Sequence, residues 1–408
     1  WTSNVWESQV PGLRAVGGLA ERDAAYIANF FYFQPALNYG FVSPDRARPW
    51  QQAIDAPGPQ AVRQEMRSVM KFWLDMGASG FRVDMAGSLV KNDLDGKETA
   101  RLWREERAWL EGEYPEAVLV AEWSAPSLAM PAGFHADFYL PWGLPGAAAL
   151  FRKAFAETGT SDPYGWSFFD RSGHGNIREF LDEYLRQYQA TKDKGFISLV
   201  TGNHDITPRL SYGRDTDDLE LVYLLLLTMP GLPFIYYGDE IGMRTVDGLL
   251  SKEGGYGRTA VRSPMQWNDS RNAGFSAAPA DRLYLPIDPQ PDRPTVAAQE
   301  ADPDSLLNRV RRIIALRKAH FALQASGDFA PVYAVGGKCP FTYQRTKRDE
   351  GLLVAINPSD CAVEAPMPEG LVTKQPETLY GVDGALSQED GRWALRLPGV
   401  TGGVYRIR

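Results

Sequence analysis

The sequence predicts an α/β fold with a parallel sheet, followed by a small antiparallel β-domain. Apolar segments of strand length alternate with amphipathic helices from residue 58 to about residue 325, as in parallel strands joined by helical crossovers. From residue 326 the helical periodicity disappears, and short β-like segments are separated by turn residues. The 408 residues also exceed what one hydrophobic core usually supports, which favours more than one domain.

The helical segments carry apolar residues at intervals of three and four, the period of an amphipathic helix. The first helix is predicted to begin near Pro59 and to end at Gly77, because proline suits a first turn and glycine a C-terminal stop. Its apolar residues are Val62, Met66, Val69, Met70 and Trp73. Further helices are predicted at residues 98–113, 177–188 with Asn176 as the cap, 217–229, and from Asp302 onward.

The predicted strands between these helices are apolar and short, at residues 80–86, 117–121, 136–140, 196–200 and 234–237. The β-like segments of the last part are residues 330–334, 341–344, 351–356 and 393–397. The sequence therefore predicts an irregular segment at residues 1–57, an α/β domain at residues 58–325 and a β-domain at residues 326–408.

Composition excludes several classes of protein. The net charge of −8, without a cluster of Lys and Arg, argues against a nucleic-acid partner. There is no run of eighteen apolar residues, so no membrane-spanning helix is predicted. The four scattered histidines give no zinc site, no metal ligands are predicted, and Cys339 and Cys361 either pair or stay free. We expect a cytoplasmic protein, since no signal peptide is visible.

Acidic side chains mark the ends of four of the five predicted strands, at Asp84, Glu122, Asp205 and the pair 239–240. One such residue would simply mark the end of a buried strand, but four of them favour a functional site at the strand ends. Retaining hydrolysis of a glycosidic bond needs two carboxyl groups about 5 Å apart. Arg82 lies on the same strand face as Asp84 and would keep that carboxylate ionised, as a nucleophile requires.

Several motifs, in order along the chain, resemble those of the α-amylase family, glycoside hydrolase family 13. Gly80–Asp84, Leu119–Glu122 and Gly202–Asp205 resemble its nucleophile, acid/base and third-acid motifs. Gln34–Asn38 resembles the fifth motif of the branch with oligo-1,6-glucosidases, α-glucosidases and trehalose synthases, although Ala36 replaces its usual Asp. Segments typical of the same branch are Arg262–Trp267, Asn272–Phe275 and Leu283–Ile287.

The resemblance implies a (β/α)8 barrel followed by a β-sandwich domain, and double displacement at α-glucosidic bonds of an oligosaccharide substrate. It implies Asp84 as nucleophile, Glu122 as general acid/base and Asp205 as the acid that stabilises the transition state. The residues expected to support substrate binding are Arg82, Asn203, His204 and Trp123, although Trp123 is equally well explained as a packing aromatic at the barrel rim.

One family motif, Asp-x-x-x-Asn-His at the end of the third barrel strand, does not occur in the sequence. The predicted strands then correspond to barrel strands four to eight, and residues 1–57 to the remainder of an inserted domain and its connection to the barrel. We expect the remaining βα units to come from a cleaved or separately numbered segment or from a companion chain. No cofactor is required; a structural calcium is compatible with the resemblance, but its usual ligands lie outside this chain.

The activity within the family is open at this point. The first alternative is a glycosidase acting on short α-glucosides; the second is a transferase or isomerase such as a trehalose synthase, which shares the same catalytic residues. An endo-acting α-amylase and a non-catalytic relative are further alternatives. The residues after the nucleophile, 85–87, match neither the Val typical of α-1,6 specificity nor the Thr typical of α-1,4 specificity, so the linkage stays open.

Overall fold

The computed structural model describes residues 34–151 and 166–408, together with the backbone of two short paired strands, β1 (Ala15–Val16) and β2 (Tyr26–Ile27). The irregular segment predicted at residues 1–57 therefore lies largely outside the described residues. The chain divides into two compact units, unit 1 with Trp1–Phe138 and Asp193–Gly195, and unit 2 with Tyr139–Lys192 and Phe196–Arg408. The predicted domain limits remain a prediction.

Unit 1 contains a parallel sheet with its helices in alternation, as the sequence predicts. The elements are α1 (Pro57–Asp75), β3 (Gly80–Val83), α2 (Lys97–Glu113), β4 (Val118–Ala121), α3 (Pro126–Ala129) and β5 (Ala136–Phe138). Strand β4 pairs in parallel with β3 and with β5, and the register aligns Val83 with Ala121. Strand β3 is shorter than predicted because Met85, at φ 47°, turns the chain into a 3-10 segment, Ala86–Ser88.

In unit 1 the exposure of the apolar stripe of α1 departs clearly from the sequence prediction. Periodicity predicts that such a stripe faces a core, yet the helix buries only Pro59 and Leu74. Val69, Phe72, Trp73 and Met76 are between 41% and 67% exposed. The stripe is therefore a surface that packing among the described residues leaves open.

Unit 2 begins with helices around a large aromatic and aliphatic core. Its elements are α4 (Gly146–Phe151), α5 (Ile177–Thr191), β6 (Phe196–Ser198), α6 (Thr216–Thr228), α7 (Val296–Ala301) and α8 (Leu306–Ala319). The Asn176 side chain caps α5 as predicted. Asp302 does not open α8, because the Ser305 hydroxyl accepts from the third residue of the helix and provides its cap. The strand predicted at residues 234–237 is reduced to a single parallel bridge between Val200 and Phe234.

The C-terminal part of unit 2 is antiparallel, as the change in periodicity predicts. Its strands are β7 (Asp328–Tyr333), β8 (Phe341–Lys347), β9 (Glu350–Asn357), β10 (Val363–Pro366), β11 (Glu377–Gly381), β12 (Leu386–Glu389), β13 (Arg392–Leu397) and β14 (Thr401–Arg406). They form a five-stranded sheet in the order β11-β14-β9-β8-β7 and a three-stranded sheet in the order β10-β13-β12.

The two cysteines are free rather than paired, which settles the alternative that the sequence leaves open. Within the described parts of the chain, no helix has both the length and the apolar character needed to cross a bilayer.

Candidate active site

The parallel register of unit 1 places two carboxyl groups side by side. Since Val83 is aligned with Ala121, the next residues along the strands, Asp84 and Glu122, leave the sheet at the same edge. The Glu122 backbone N–H donates to the Val83 carbonyl at 2.9 Å, which continues the ladder by one bond. The Glu122 carboxyl also accepts from the Met85 backbone N–H at 3.3 Å, so the turn after Asp84 helps to hold the acid.

Arg82 connects the two acids. Its Nη1 donates to Asp84 Oδ1 at 2.6 Å, and its Nη2 lies 2.8 Å from Glu122 Oε2. The predicted contact of Arg82 with Asp84 is therefore confirmed, and the additional contact with Glu122 is one that the sequence did not indicate. Asp84 is open to solvent, with 65% of its side chain exposed, whereas Glu122 is buried, with 8% exposed.

This difference in environment separates the two acids chemically. Burial, followed by the hydrogen bond and charge of Asp84, raises the pKa of Glu122 to about 7, although the Arg82 cation opposes the rise. A carboxyl group with such a pKa is substantially protonated at neutral pH and can donate a proton. The pair therefore offers an accessible carboxylate beside a buried carboxylic acid.

Asp137 orients the turn that follows Glu122, and sequence reasoning missed it. The side chain of this fully buried residue on β5 accepts from the backbone N–H groups of Trp123, Ser124 and Ala125, at 3.0, 3.2 and 2.8 Å. Burial raises the pKa of Asp137 to about 7, and the backbone donors oppose that rise by favouring the ionised form. No sequence pattern marks this role, because it depends on where three N–H groups point.

Trp123, a predicted substrate-binding residue, lies against the protein core. Its ring lies on Gly87 so closely that a Cβ there would come within 2.3 Å of the indole nitrogen, and it meets Phe134 edge-on at 6.3 Å. These contacts fit the packing alternative, and a contact of Trp123 with substrate stays a prediction.

In unit 2 the predicted third acid, Asp205, is held by two arginines. Its Oδ1 accepts from Arg258 Nη1 at 2.8 Å and from Arg262 Nη2 at 2.9 Å, and His204 Nε2 lies 3.2 Å from its Oδ2. The Asn203 side chain contacts the backbone of Asp205, because its Oδ1 accepts a hydrogen bond from the Asp205 N–H at 2.8 Å. Two guanidinium groups thus converge on one oxygen of this carboxyl group.

The sequence did not indicate a role for Arg258, and Arg262 was singled out only as part of a motif. Both lie more than fifty residues beyond Asp205, and the available signal was two arginines four residues apart in the Arg258–Arg262 segment. The fully buried Arg209 positions this segment, because it donates to the carbonyls of Tyr237 and Val261 at 2.8 and 2.7 Å.

The structure thus brings Arg82, Asp84 and Glu122 together in unit 1, and Asn203, His204 and Asp205 together in unit 2. That both groups serve one site stays a prediction. Among the residues that the structure describes, no group of three or more His, Cys, Asp and Glu side chains is arranged to hold a metal ion.

Comparison with known proteins identifies the family to which the chain belongs. The sequence model of the α-amylase catalytic domain matches residues 57–326, and the chain belongs to the α-amylase family. It has the TIM-barrel fold of this family with a C-terminal antiparallel sheet domain. An α-amylase from H. orenii superposes with a TM-score of 0.71 at 19% identity, covering 99% of this chain and 74% of that chain. A trehalulose synthase, MutB, gives a TM-score of 0.71 at 20% identity, covering 99% and 76%.

The similar proteins include trehalose synthases and an oligo-1,6-glucosidase. The chain is 32% identical over 346 residues to the trehalose synthase/amylase TreS of Mycolicibacterium smegmatis, covering 77% of this chain and 53% of that protein. It is 25% identical over 405 residues to the oligo-1,6-glucosidase of Parageobacillus thermoglucosidasius, covering 85% and 68%. The chain spans about half the length of the mycobacterial relatives. The whole activity of these relatives is therefore not carried over to this chain by similarity alone.

The role of Asp137 is testable with a matched control. In Asp137→Ala three backbone N–H groups, one of them buried and two part-buried, lose their acceptor, so we expect the free energy of unfolding to fall by about 2–3 kcal/mol. Because the turn beside Glu122 is released, we also expect kcat/KM on an α-glucoside to fall by about tenfold or more. Asp93→Ala is the control, since that carboxylate also accepts from two backbone N–H groups, at the start of α2.

Denaturant unfolding and steady-state kinetics measure both effects. Asp93→Ala should lose stability but retain activity below its unfolding transition. Equal loss of activity in the two variants would show that Asp137 acts only through global stability.

Proposed function

We propose that this chain is the catalytic part of a retaining enzyme that cleaves α-glucosidic bonds of short oligosaccharides by double displacement. The observation that carries the proposal is the Arg82 bridge, which holds an accessible Asp84 against a buried Glu122 of raised pKa. Because one guanidinium contacts both carboxyl groups, the two acids lie close together, which agrees with the short separation of retaining enzymes rather than the wider separation of inverting ones.

In the first step Asp84 attacks the anomeric carbon, and Glu122 donates its proton to the glycosidic oxygen as that bond breaks. The products are a glucosyl ester on Asp84 and a free alcohol. In the second step the Glu122 carboxylate takes a proton from water, whose oxygen attacks the anomeric carbon and releases glucose with retained configuration. We assign to Asp205 the binding of sugar hydroxyls and the stabilisation of positive charge in the transition state, with His204 and Asn203 beside it.

A second candidate function is isomerisation by glucosyl transfer. It is favoured by the trehalose synthases, which are 30–32% identical to this chain, whereas the oligo-1,6-glucosidase is 25% identical. The same two steps give this outcome if the released sugar, instead of water, attacks the glucosyl ester. Exclusion of water from the intermediate separates the two outcomes. A cytoplasmic location remains a prediction.

The catalytic assignment is tested with maltose, isomaltose and 4-nitrophenyl α-glucoside. We expect turnover of at least one substrate, and a loss of kcat/KM of about 10⁴-fold or more in Asp84→Asn, because no other group replaces the nucleophile. The control is Asp349→Asn, an exposed carboxylate in the turn between β8 and β9.

Product analysis by chromatography then names the activity, since glucose indicates hydrolysis and trehalose from maltose indicates isomerisation. Wild-type protein that turns over none of the three substrates, or an Asp84→Asn variant as active as Asp349→Asn, would contradict the proposal.

We propose further that additional βα units, on this polypeptide or on a companion chain, complete the barrel against unit 1. Two features support this proposal. The face of α1 formed by Val69, Phe72, Trp73 and Met76 is exposed, and β3 pairs with β4 on one edge and, among the described residues, with no other strand. An open parallel edge beside an apolar helix face is the surface that a neighbouring βα unit covers in a barrel.

The double substitution Phe72→Ser/Trp73→Ser tests this coverage in the active enzyme. If a βα unit packs on these rings, their loss should lower the free energy of unfolding by about 3 kcal/mol or more. Leu94→Ser, at another exposed apolar residue of unit 1, should change stability by less than about 0.5 kcal/mol. Chemical denaturation gives both values, and an equally small effect in both variants would show that the face is free surface.

A further inference from the structure

The fourth acidic strand end, the pair 239–240, has no part in the two chemical steps, and the structure places Asp239 beneath the surface of unit 2. Its side chain is 1% exposed, and its Oδ1 lies 3.2 Å from Nη1 of Arg209, whose side chain is 0% exposed. A charged group at this depth is destabilising unless an opposite charge accompanies it. Asp239 and Arg209 therefore form a buried ion pair out of reach of a substrate, so that any effect on catalysis passes through other residues.

Arg209 ties two distant parts of the chain together. Its Nη1 also donates to the Tyr237 carbonyl at 2.8 Å, and its Nη2 donates to the Val261 carbonyl at 2.7 Å. The guanidinium carbon lies 4.9 Å from the ring centroids of both Tyr236 and Tyr237, a distance at which a cation is attracted to an aromatic ring. The Tyr237 hydroxyl donates to the Ser263 carbonyl at 2.7 Å, so the two parts of the chain are joined at a second point.

The second of these parts is the one that holds Asp205. Arg262 directly follows Val261, its Nε donates to the His204 carbonyl at 2.8 Å, and its Nη2 donates to Asp205 Oδ1 at 2.9 Å. Because Arg262 holds both the backbone and the side chain of this loop, a shift of its own backbone either moves Asp205 or breaks these bonds. Contacts therefore lead from the buried ion pair, through the Val261 carbonyl, to the guanidinium beside Asp205.

We propose that Arg209 and Asp239 are positioning residues for Asp205, which set the place and direction of its carboxyl group without contact with the substrate. The inference rests on the proposed function and deepens it. A carboxylate that stabilises positive charge in a transition state must be held in place before the reaction begins. A displacement of about 1 Å, caused far from the reacting atoms, lowers a rate by about 100-fold in the more sensitive cases. The buried ion pair opposes such a displacement, because the separation of two buried charges is costly.

A double-mutant cycle separates positioning from a purely structural role. Asp239→Asn removes one charge of the pair, and Arg209→Lys keeps the charge but lacks the planar fork that bridges two carbonyls. In each variant we expect kcat/KM on 4-nitrophenyl α-glucoside to fall about tenfold or more. In the Asp205→Asn background the same substitutions should lower kcat/KM by less than about threefold, because the carboxylate that they displace is already absent. Equal factors in the two backgrounds would overturn the inference.

Glu106→Gln is the matched control, because Glu106 is also a buried acid paired with an arginine. It lies 2.7 Å from Arg67, between α1 and α2 of unit 1. This variant should lose stability in denaturant unfolding but keep the kcat/KM of its parent in both backgrounds, and a loss equal to that of Asp239→Asn would contradict the positioning role. Because Arg209→Lys keeps the positive charge beside Asp239, it completes the cycle alone if Asp239→Asn does not fold.

Calorimetric titration with 1-deoxynojirimycin separates failure of this inference from failure of the proposed function. This sugar mimic carries a protonated ring nitrogen, so its affinity depends on the carboxylates that face a positively charged transition state. Suppose that the wild-type enzyme shows no turnover, but that affinity falls about tenfold in Asp239→Asn and less than about threefold when Asp205→Asn is already present. The positioning role then stands, and the catalytic proposal fails. Binding that is absent, or that weakens by the same factor in both backgrounds, overturns the positioning role.

Discussion

The two terminal nitrogens of the Arg82 guanidinium each hold one carboxyl group, and the chemistry of unit 1 depends on this arrangement. Side chains alternate along a strand, so Arg82 and Asp84 share a face of β3, and the parallel register of β4 brings Glu122 to the same edge. Two carboxyl groups in contact would repel each other if both were ionised without a cation. The positive charge of the guanidinium offsets this repulsion. The unequal burial of the two groups then favours the protonated form of Glu122.

In unit 2 a carboxyl group is likewise held by arginine side chains, which here come from residues more distant in sequence. Asp205 is held by Arg258 and Arg262, and the buried Arg209 fixes the segment that carries both of them. In each unit a carboxyl group is thus oriented by a guanidinium group that other contacts hold in place.

The sequence predicted the strand-end acids because their signal is local: an apolar strand, a turn and a carboxylate within a few residues. The roles of Asp137 and Arg258 escaped prediction because each depends on a contact between segments distant in sequence, or on the direction of backbone N–H groups. Periodicity identified α1 as an amphipathic helix, but it could not say what its apolar face packs against. The strand predicted at residues 234–237 was wrong for a related reason, since apolar composition does not guarantee a regular hydrogen-bonded ladder.

The central claim is that Arg82 holds a proton donor and an ionised carboxylate side by side, and the protonation of Glu122 tests it most directly. Carbon-13 NMR of glutamate-labelled protein, with the signal assigned from Glu122→Gln, follows this group through a pH titration. The account predicts a midpoint near 7 in the wild-type protein. It predicts a lower midpoint in Asp84→Asn, because the neighbouring charge that raises the pKa is removed. A wild-type midpoint at the ordinary glutamate value of about 4.3 would contradict it.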